Sequence, residues 1–402
     1  MPAISPAFIR AIPKTDLHLH LDGSLRIDTL FELAKAAGVD VPGDTPEALR
    51  TTVFKDKYAS LEEYLRGFGL TTAAMQTEAG LFRVAYELMI DNAAEGVRYI
   101  EARFAPQLLM SDKLDFRQVV AAVDSGLRQA RDELNAKRTA GEPEYDYGLI
   151  VCAMRFFTPE FSPYYRQFAH QHRTLPDLEV RRLAALELAH VATELRASSN
   201  IQIVGFDIAG AENGFPAADF AEAYALAGQG YLDKTVHAGE AYGAESIYQA
   251  VTKTHASRLG HGLHLFDAAK LQHVPAEQRA TYLASLVNVI AQRQITIEVC
   301  LTSNLQTTPD LGSLDRHPLG QMIANGLSVT LCTDNRLVSS TTVCREYELA
   351  VGQFAIDPAT LRHIALTGFR RAFHYRPYAA KRTYLAQIAA YYDQLAQQHG
   401  VA

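Results

Sequence analysis

Cysteine is scarce and unpaired in this chain. Cys152, Cys300, Cys332 and Cys344 are the four in 402 residues, and no two of them form a Cys-x-x-Cys pair. That spacing offers no disulfide framework and points to a reducing compartment, the cytoplasm. Long apolar runs are missing as well, so no bilayer-spanning segment and no membrane partner are expected. The opening residues, Met-Pro-Ala-Ile-Ser-Pro-Ala-Phe-Ile-Arg, lack the basic-then-apolar pattern of a secretory signal. Positive charge is not in excess: Lys+Arg number 38 against 45 Asp+Glu, a formal net charge of −7. A protein that grips a nucleic-acid backbone needs a basic surface, so nucleic acid is not an expected partner. No Gly-x-Gly-x-x-Gly follows the first strand-like segment, which argues against a dinucleotide-binding sheet.

What is present is a large apolar fraction, 48% of the residues, enough for an extensive core. Strand-like segments alternate with helix-like ones. The first strand surrounds His18 and His20; others are expected at 97–104, 147–156, 201–208, 234–237, 258–261, 295–300 and 327–332. Helical spacing of apolar residues is expected at 27–38, 116–135, 178–197, 215–230, 246–254, 283–292, 317–325 and from Pro358 onward. Alternation of this kind implies parallel strands joined by crossover helices. Eight such units predict an α/β fold, a (β/α)8 barrel, with a doubly wound open sheet as the alternative. The expectation is one domain over residues 1–402, with a mostly helical insertion at about 40–95 and extra helices at the carboxyl end.

The chemistry-bearing residues fall at expected strand ends. In Lys14-Thr-Asp-Leu-His-Leu-His-Leu-Asp-Gly-Ser24, His18 and His20 share one face of a strand and can share one metal ion. Taken alone, that pair equally fits an ordinary strand with two satisfied polar side chains. Gly210 and Glu212 follow the fourth strand, His237 and Glu240 the fifth, His261 ends the sixth, and Asp334 and Asn335 end the eighth. Catalytic groups of (β/α)8 barrels gather at the carboxyl ends of strands. Three imidazoles with one carboxylate suit Zn²⁺, leaving an open position for water. Zinc lowers the pKa of that water towards about 7. Glu240 and His261 are then candidates for acid and base. The residues alone reach metal-assisted hydrolysis of a small polar substrate and do not choose the substrate.

The motif series is more specific. Thr15-Asp-Leu-His-Leu-His-Leu-Asp-Gly-Ser-Leu25, Gly205-Phe-Asp-Ile-Ala-Gly210, His237-Ala-Gly-Glu240, Arg258-Leu-Gly-His-Gly262, the segment 298–306 and the segment 330–334 resemble, in order, the motifs of the adenosine deaminase family. The resemblance implies a TIM barrel that uses one Zn²⁺ per chain to hydrolyse the 6-amino group of adenosine or 2′-deoxyadenosine, giving the inosine product and ammonia. By motif position it implies His18, His20, His237 and Asp334 as zinc ligands, with His20 also beside the substrate. Glu240 would protonate purine N1, and His261 would hold and deprotonate the zinc-bound water. The Gly210 N–H would meet N3, and Asp22 the ribose 5′-hydroxyl. Tyr64, Leu65 and Phe68, whose spacing alone fits core packing better, match the family's hydrophobic gate, and the resemblance brings the gate reading level with packing. The family's usual Asp-Asp pair at the last strand is here Asp334-Asn335, and its second member contacts N7.

Other classes fit the sequence less well. A binuclear amidohydrolase with a carboxylated lysine after strand four is disfavoured, since no lysine lies between Arg173 and Asp233. A cytidine-deaminase site needs Pro-Cys-x-x-Cys, which is absent. A deaminase of adenine or of a modified adenosine such as aminodeoxyfutalosine is the main alternative. A non-catalytic nucleoside-binding barrel is the third, set against a complete set of ligands and proton-transfer groups.

Overall fold

The computed structural model describes residues 4–401. The first three residues and the last, part of the expected domain and of the leader reading, lie outside the described residues. Eight strands run parallel in sequential order: β1 Lys14–His20, β2 Val97–Phe104, β3 Asp146–Met154, β4 Ile203–Ala209, β5 Asp233–Ala238, β6 Arg258–His261, β7 Thr296–Val299 and β8 Ser328–Leu331. The circle closes through Asp334, just past β8. Its N–H donates to the His18 carbonyl at 2.8 Å, and its own carbonyl accepts from the His20 N–H at 2.7 Å. The expected (β/α)8 barrel is therefore the fold, and the open-sheet alternative is excluded.

Crossover helices cover the outside, so β1, β2, β4, β6, β7 and β8 are buried along their whole length, as parallel strands must be. Local chemistry sets the helix ends. Asp115 and Gln118 form a reciprocal capping box at the start of Phe116–Ala136. Val119, Val120, Val123 and Leu127 then face the barrel. Gly38, at φ 68°, takes the left-handed position that ends Ile27–Ala37. Four helices fill the segment before β2: Pro46–Thr52, Leu61–Leu65, Gly67–Ala74 and Glu78–Ala93. The chain after β8 adds Pro358–Arg371, packed on β8 and β1, and Tyr378–Gln398.

Several boundaries differ from expectation. The helix expected from residue 283 starts at Ala276, because Pro275 opens it and polar residues fill its exposed first turns. The helix expected at 215–230 is a 3₁₀ turn, Ala217–Phe220, followed by Ala221–Gln229. Pro163–Gln171, Leu301–Thr307 and Val343–Gln353 were not anticipated. The first begins with Ser162 as cap and Pro163 in the first turn, a legible start signal in a segment with little apolar period.

The barrel interior is charged where branched apolar side chains are usual. Glu101, Arg103, Asp207, Arg258 and Glu298 are each at most 1% exposed. Arg103 joins Asp207 and Glu298, both at 2.8 Å. Arg258 joins Glu298 at 2.6 Å and also bonds Glu101. Buried charges survive only when paired and hydrogen-bonded. This lattice is the floor on which the strand-end residues stand.

Candidate active site

A cavity of about 680 Å³ opens at the carboxyl ends of the strands. It is lined by eleven of the residues singled out in the sequence: His20, Asp22, Tyr64, Leu65, Phe68, Gly210, His237, Glu240, His261, Asp334 and Asn335. His18, fully buried, is absent from the lining.

The alternation of β1 turns Leu17 and Leu19 into packing and leaves His18 and His20 together on the other face. His237 comes from β5, and Asp334 is set by the backbone bonds that close the barrel. One ligand atom from each of His18, His20, His237 and Asp334 lies within 4.8 Å of all the others. Asp334 Oδ1 is 3.4 Å from His18 Nε2 and 3.5 Å from His20 Nε2. The Nε2 atoms of His20 and His237 face each other at 3.1 Å.

Partners behind the rings decide which nitrogen is free. Glu298 takes Nδ1 of His18 at 2.9 Å, and Asp207 stands 2.9 Å from Nδ1 of His237. His18 Nε2 is buried with no hydrogen-bond partner among the described residues. Ser303 donates to Asp334 Oδ2 at 2.6 Å, leaving Oδ1 to the cluster. Converging lone pairs at such distances repel unless a cation or proton lies between them. Three imidazole nitrogens and one carboxylate oxygen, with partners behind His18, His237 and Asp334, suit a tetrahedral metal ion such as zinc. Burial would lift Glu298, but Arg103 and Arg258 hold its carboxyl well below the usual range, so it stays an anionic acceptor.

Glu240 and His261 face each other across the same cavity, Oε2 to Nε2 at 3.7 Å. Burial, with Asp334 and Glu212 adding their charge, pushes the Glu240 carboxyl up to about 8. It therefore carries a proton at neutral pH. Glu212, a sequence candidate, bonds the backbone instead: its oxygens accept from the N–H groups of Gly239, Ala241 and Tyr242 at 2.6, 2.6 and 3.0 Å. It thus pins the loop that carries Glu240.

A hydrogen-bond chain fixes His261. Burial holds His317 down at about 3, so its ring is neutral and has one donor and one acceptor. The Leu319 N–H occupies Nδ1 at 3.1 Å, so Nε2 of His317 donates to Asn304 Oδ1 at 3.1 Å. The Asn304 amide must then present Nδ2 to His261 Nδ1, at 3.0 Å. Burial also keeps His261 neutral. Its remaining hydrogen therefore sits on Nε2, facing the cavity. His261 and Asp334 adopt φ of 65° and 60°, uncommon for residues with a side chain and a local strain at the functional end of the barrel.

The rest of the wall is mixed. Asp22 is 4% exposed, with Oδ1 lacking a partner among the described residues. Gly210 has φ 92°, and a Cβ there would stand 3.1 Å from Met154 Cε, so glycine lets backbone form this wall. Leu65 and Phe68, on the helices Leu61–Leu65 and Gly67–Ala74, are half-buried over the cavity. Tyr64 differs from the purely apolar gate expected: its hydroxyl is hydrogen-bonded to Asn335 and Ser339, each at 2.7 Å.

Sequence reasoning missed Arg103 and His317 and gave no role to Asp207, Glu298, Ser303 and Asn304, although these four lie in the motif segments 205–210 and 298–306. A signal existed for some. Glu101 and Arg103 stand two apart in a strand that must be buried, where charge needs a partner. Met154 and Phe156, also in the wall, stand at the end of β3 and just past it, a strand end that displayed no titratable pair.

The family model described as adenosine deaminase matches residues 13–391. An adenosine deaminase 1 of Streptomyces coelicolor is 35% identical over 378 residues, spanning 92% of this chain and 84% of its own. An adenosine deaminase of Mycobacterium avium is 34% identical over 367 residues, 91% of both chains. Among solved structures, an N6-mAMP deaminase of Arabidopsis superposes with a TM-score of 0.73 at 25% identity, over 96% of this chain and 99% of that one.

Proposed function

The chain belongs to the adenosine deaminase family, and on that premise we propose that it is a zinc-dependent hydrolase that converts adenosine and 2′-deoxyadenosine to inosine and 2′-deoxyinosine with release of ammonia. The observation that carries this reading is the convergence of His18, His20, His237 and Asp334 on one point beside Glu240 and His261. Those four residues would hold one zinc ion per chain. Bound there, zinc supplies Lewis acidity that makes water a nucleophile near neutral pH.

The chain's own groups do the rest. Glu240, protonated at neutral pH, donates to purine N1 and makes C6 electrophilic. His261 holds the attacking water. The resemblance assigns it removal of the water's proton, but the chain from Leu319 through His317 and Asn304 leaves hydrogen on Nε2. We therefore give the neutral ring an orienting role, as a donor; of the water's two protons, one passes to the departing amino group to form ammonia and the other restores the Glu240 carboxyl. The Gly210 N–H meets N3, His20 flanks the substrate, Leu65 and Phe68 cover the base, and Asn335 donates to N7. Asp22 receives the ribose 5′-hydroxyl. Its buried, unpartnered oxygen favours a nucleoside over free adenine.

Adenine or a modified adenosine is the second reading, motivated by Asn335 where the family has Asp. The whole chain acts as one catalytic domain. None of the described helices is long and apolar enough to cross a membrane, and all four cysteines are free and buried, which supports a cytoplasmic setting. Ammonia release measured across adenine, adenosine, 2′-deoxyadenosine and base- or ribose-modified adenosines tests the proposal. Adenosine as the best substrate is expected. Turnover confined to free adenine overturns it.

A further inference from the structure

Tyr64 sits on the short helix Leu61–Leu65, among residues that cover the cavity, and is 2% exposed. Its ring packs edge-on against Tyr58, centroids 5.1 Å apart. Its hydroxyl lies between two polar groups. Asn335 Nδ2 donates to it at 2.7 Å, and Ser339 Oγ is 2.7 Å away on the other side. A hydroxyl that accepts from one neighbour can donate to another, so Ser339 completes the bond set. Ser339 is itself anchored, its N–H donating to the Asn335 carbonyl at 2.9 Å and its carbonyl accepting from Gln306 Nε2 at 3.2 Å.

The amide of Asn335 is thereby held through its nitrogen, by Tyr64. Its Oδ1 is buried against Gly23, where a Cβ would come within 1.8 Å of it, and has no hydrogen-bond partner among the described residues. Its nitrogen carries two hydrogens, and Tyr64 accepts one. Asn335 lines the cavity, so the second hydrogen is what a ligand can use. The terminal torsion of asparagine is broad, and an amide turned the wrong way offers a carbonyl oxygen where a donor is needed. Two acceptors then face each other, which is worse than no contact.

We propose that Tyr64 is a positioning residue for substrate recognition: its hydroxyl, backed by Ser339, fixes the Asn335 amide so that the second Nδ2 hydrogen meets an acceptor on the five-membered-ring edge of the purine. The ligand class it selects is a purine nucleoside with an unsubstituted N7. The proposal rests on the deaminase reading for the orientation of the base. It also gives Tyr64 a polar task that an apolar residue of equal shape cannot perform.

The test separates this role from wall packing. Dissociation constants of adenosine and 7-deazaadenosine, in which C–H replaces N7, are measured by calorimetry on the zinc-loaded protein in a Glu240→Gln background that suppresses turnover. The parent is expected to prefer adenosine by about 10- to 100-fold, the usual cost of losing one buried hydrogen-bond partner. Tyr64→Phe keeps the ring and should cut that preference to less than about fivefold, as should Asn335→Ala. In the Asn335→Ala background, adding Tyr64→Phe should change the ratio by less than about twofold, because Tyr64 acts only through Asn335. Ser339→Ala should shift the ratio in the same direction by less. A merely structural Tyr64 would weaken both nucleosides equally and leave the ratio intact. That result, or a parent with no preference, overturns the proposal. Ammonia release from adenosine by the native chain is recorded separately, so a failure of the deaminase reading remains distinguishable from a failure of this one.

Discussion

The strand ends that gather the metal ligands and the helices that cover the cavity are built on different physics. His18 stands on a strand buried along its whole length, His237 on the buried end of β5 and Asp334 just past β8, each with Glu298, Asp207 or Ser303 behind it. Beneath them, two guanidiniums and three carboxylates are locked together inside the barrel. Tyr64, Leu65 and Phe68 stand on two helices of five and eight residues. Helices that short hold their shape by tertiary contact rather than by propensity. The lesson is a division of labour. The strand ends tolerate no change because moving one charge strands its partners, whereas the cover can be altered residue by residue to tune what binds.

The largest break in that comparison is His20→Ala. Removing one of four ligands should weaken metal affinity by more than about 100-fold, beyond the range seen when a partner behind a ligand is lost. Elemental analysis should find about one zinc per native chain and little in the variant. Two tightly held ions, or an active enzyme without any, would refute the single-ion site.

Glu240→Gln separates chemistry from metal binding on the same strand ends. It should keep the zinc and the fold and lower kcat by about 10²–10⁴-fold. Because the carboxyl is raised to about 8, the active protonated form predominates below that pH and is lost above it. The native kcat/KM should fall as pH rises through about 8, and residual activity of the variant should lack that limb. Metal loss in Glu240→Gln would make Glu240 a ligand.

Glu298→Gln tests the floor. It leaves Arg103 and Arg258 short of a buried counter-charge, for which about 3–5 kcal/mol of stability is the usual penalty. It also replaces the charged acceptor behind His18 with a neutral amide oxygen, for up to about 10- to 100-fold in metal affinity. Denaturant unfolding and zinc titration would read the two losses. If neither moves, the charged interior does not support the site.

The smallest effect is expected in the cover. Phe68 is half-buried, so Phe68→Ala should remove roughly 1 kcal/mol of apolar contact with the substrate. That corresponds to about a fivefold rise in KM with kcat nearly unchanged. A drop in kcat alone would mean that the cover also takes part in the chemistry.

The strand count, the parallel alternation and the placement of histidines and carboxylates at strand ends were legible without coordinates. Each is a local property: apolar period, punctuation by Gly and Pro, and a residue's position within its own strand. The motifs around His18, His20, His237, Glu240, His261 and Asp334 could therefore be read one strand at a time. What only the tertiary structure decided is how groups far apart in the chain meet. Glu298 finds His18 across 280 positions, and Tyr64 finds Asn335 across 271. The tautomer of His261 is set through Asn304 and His317 by a backbone N–H on another helix. No pattern within one element announces such pairings, because they come from barrel closure and from burial that forces every polar group to find a partner. That is why Tyr64 reads as one more apolar cover residue in the sequence and as a hydrogen-bonding partner of Asn335 in the fold.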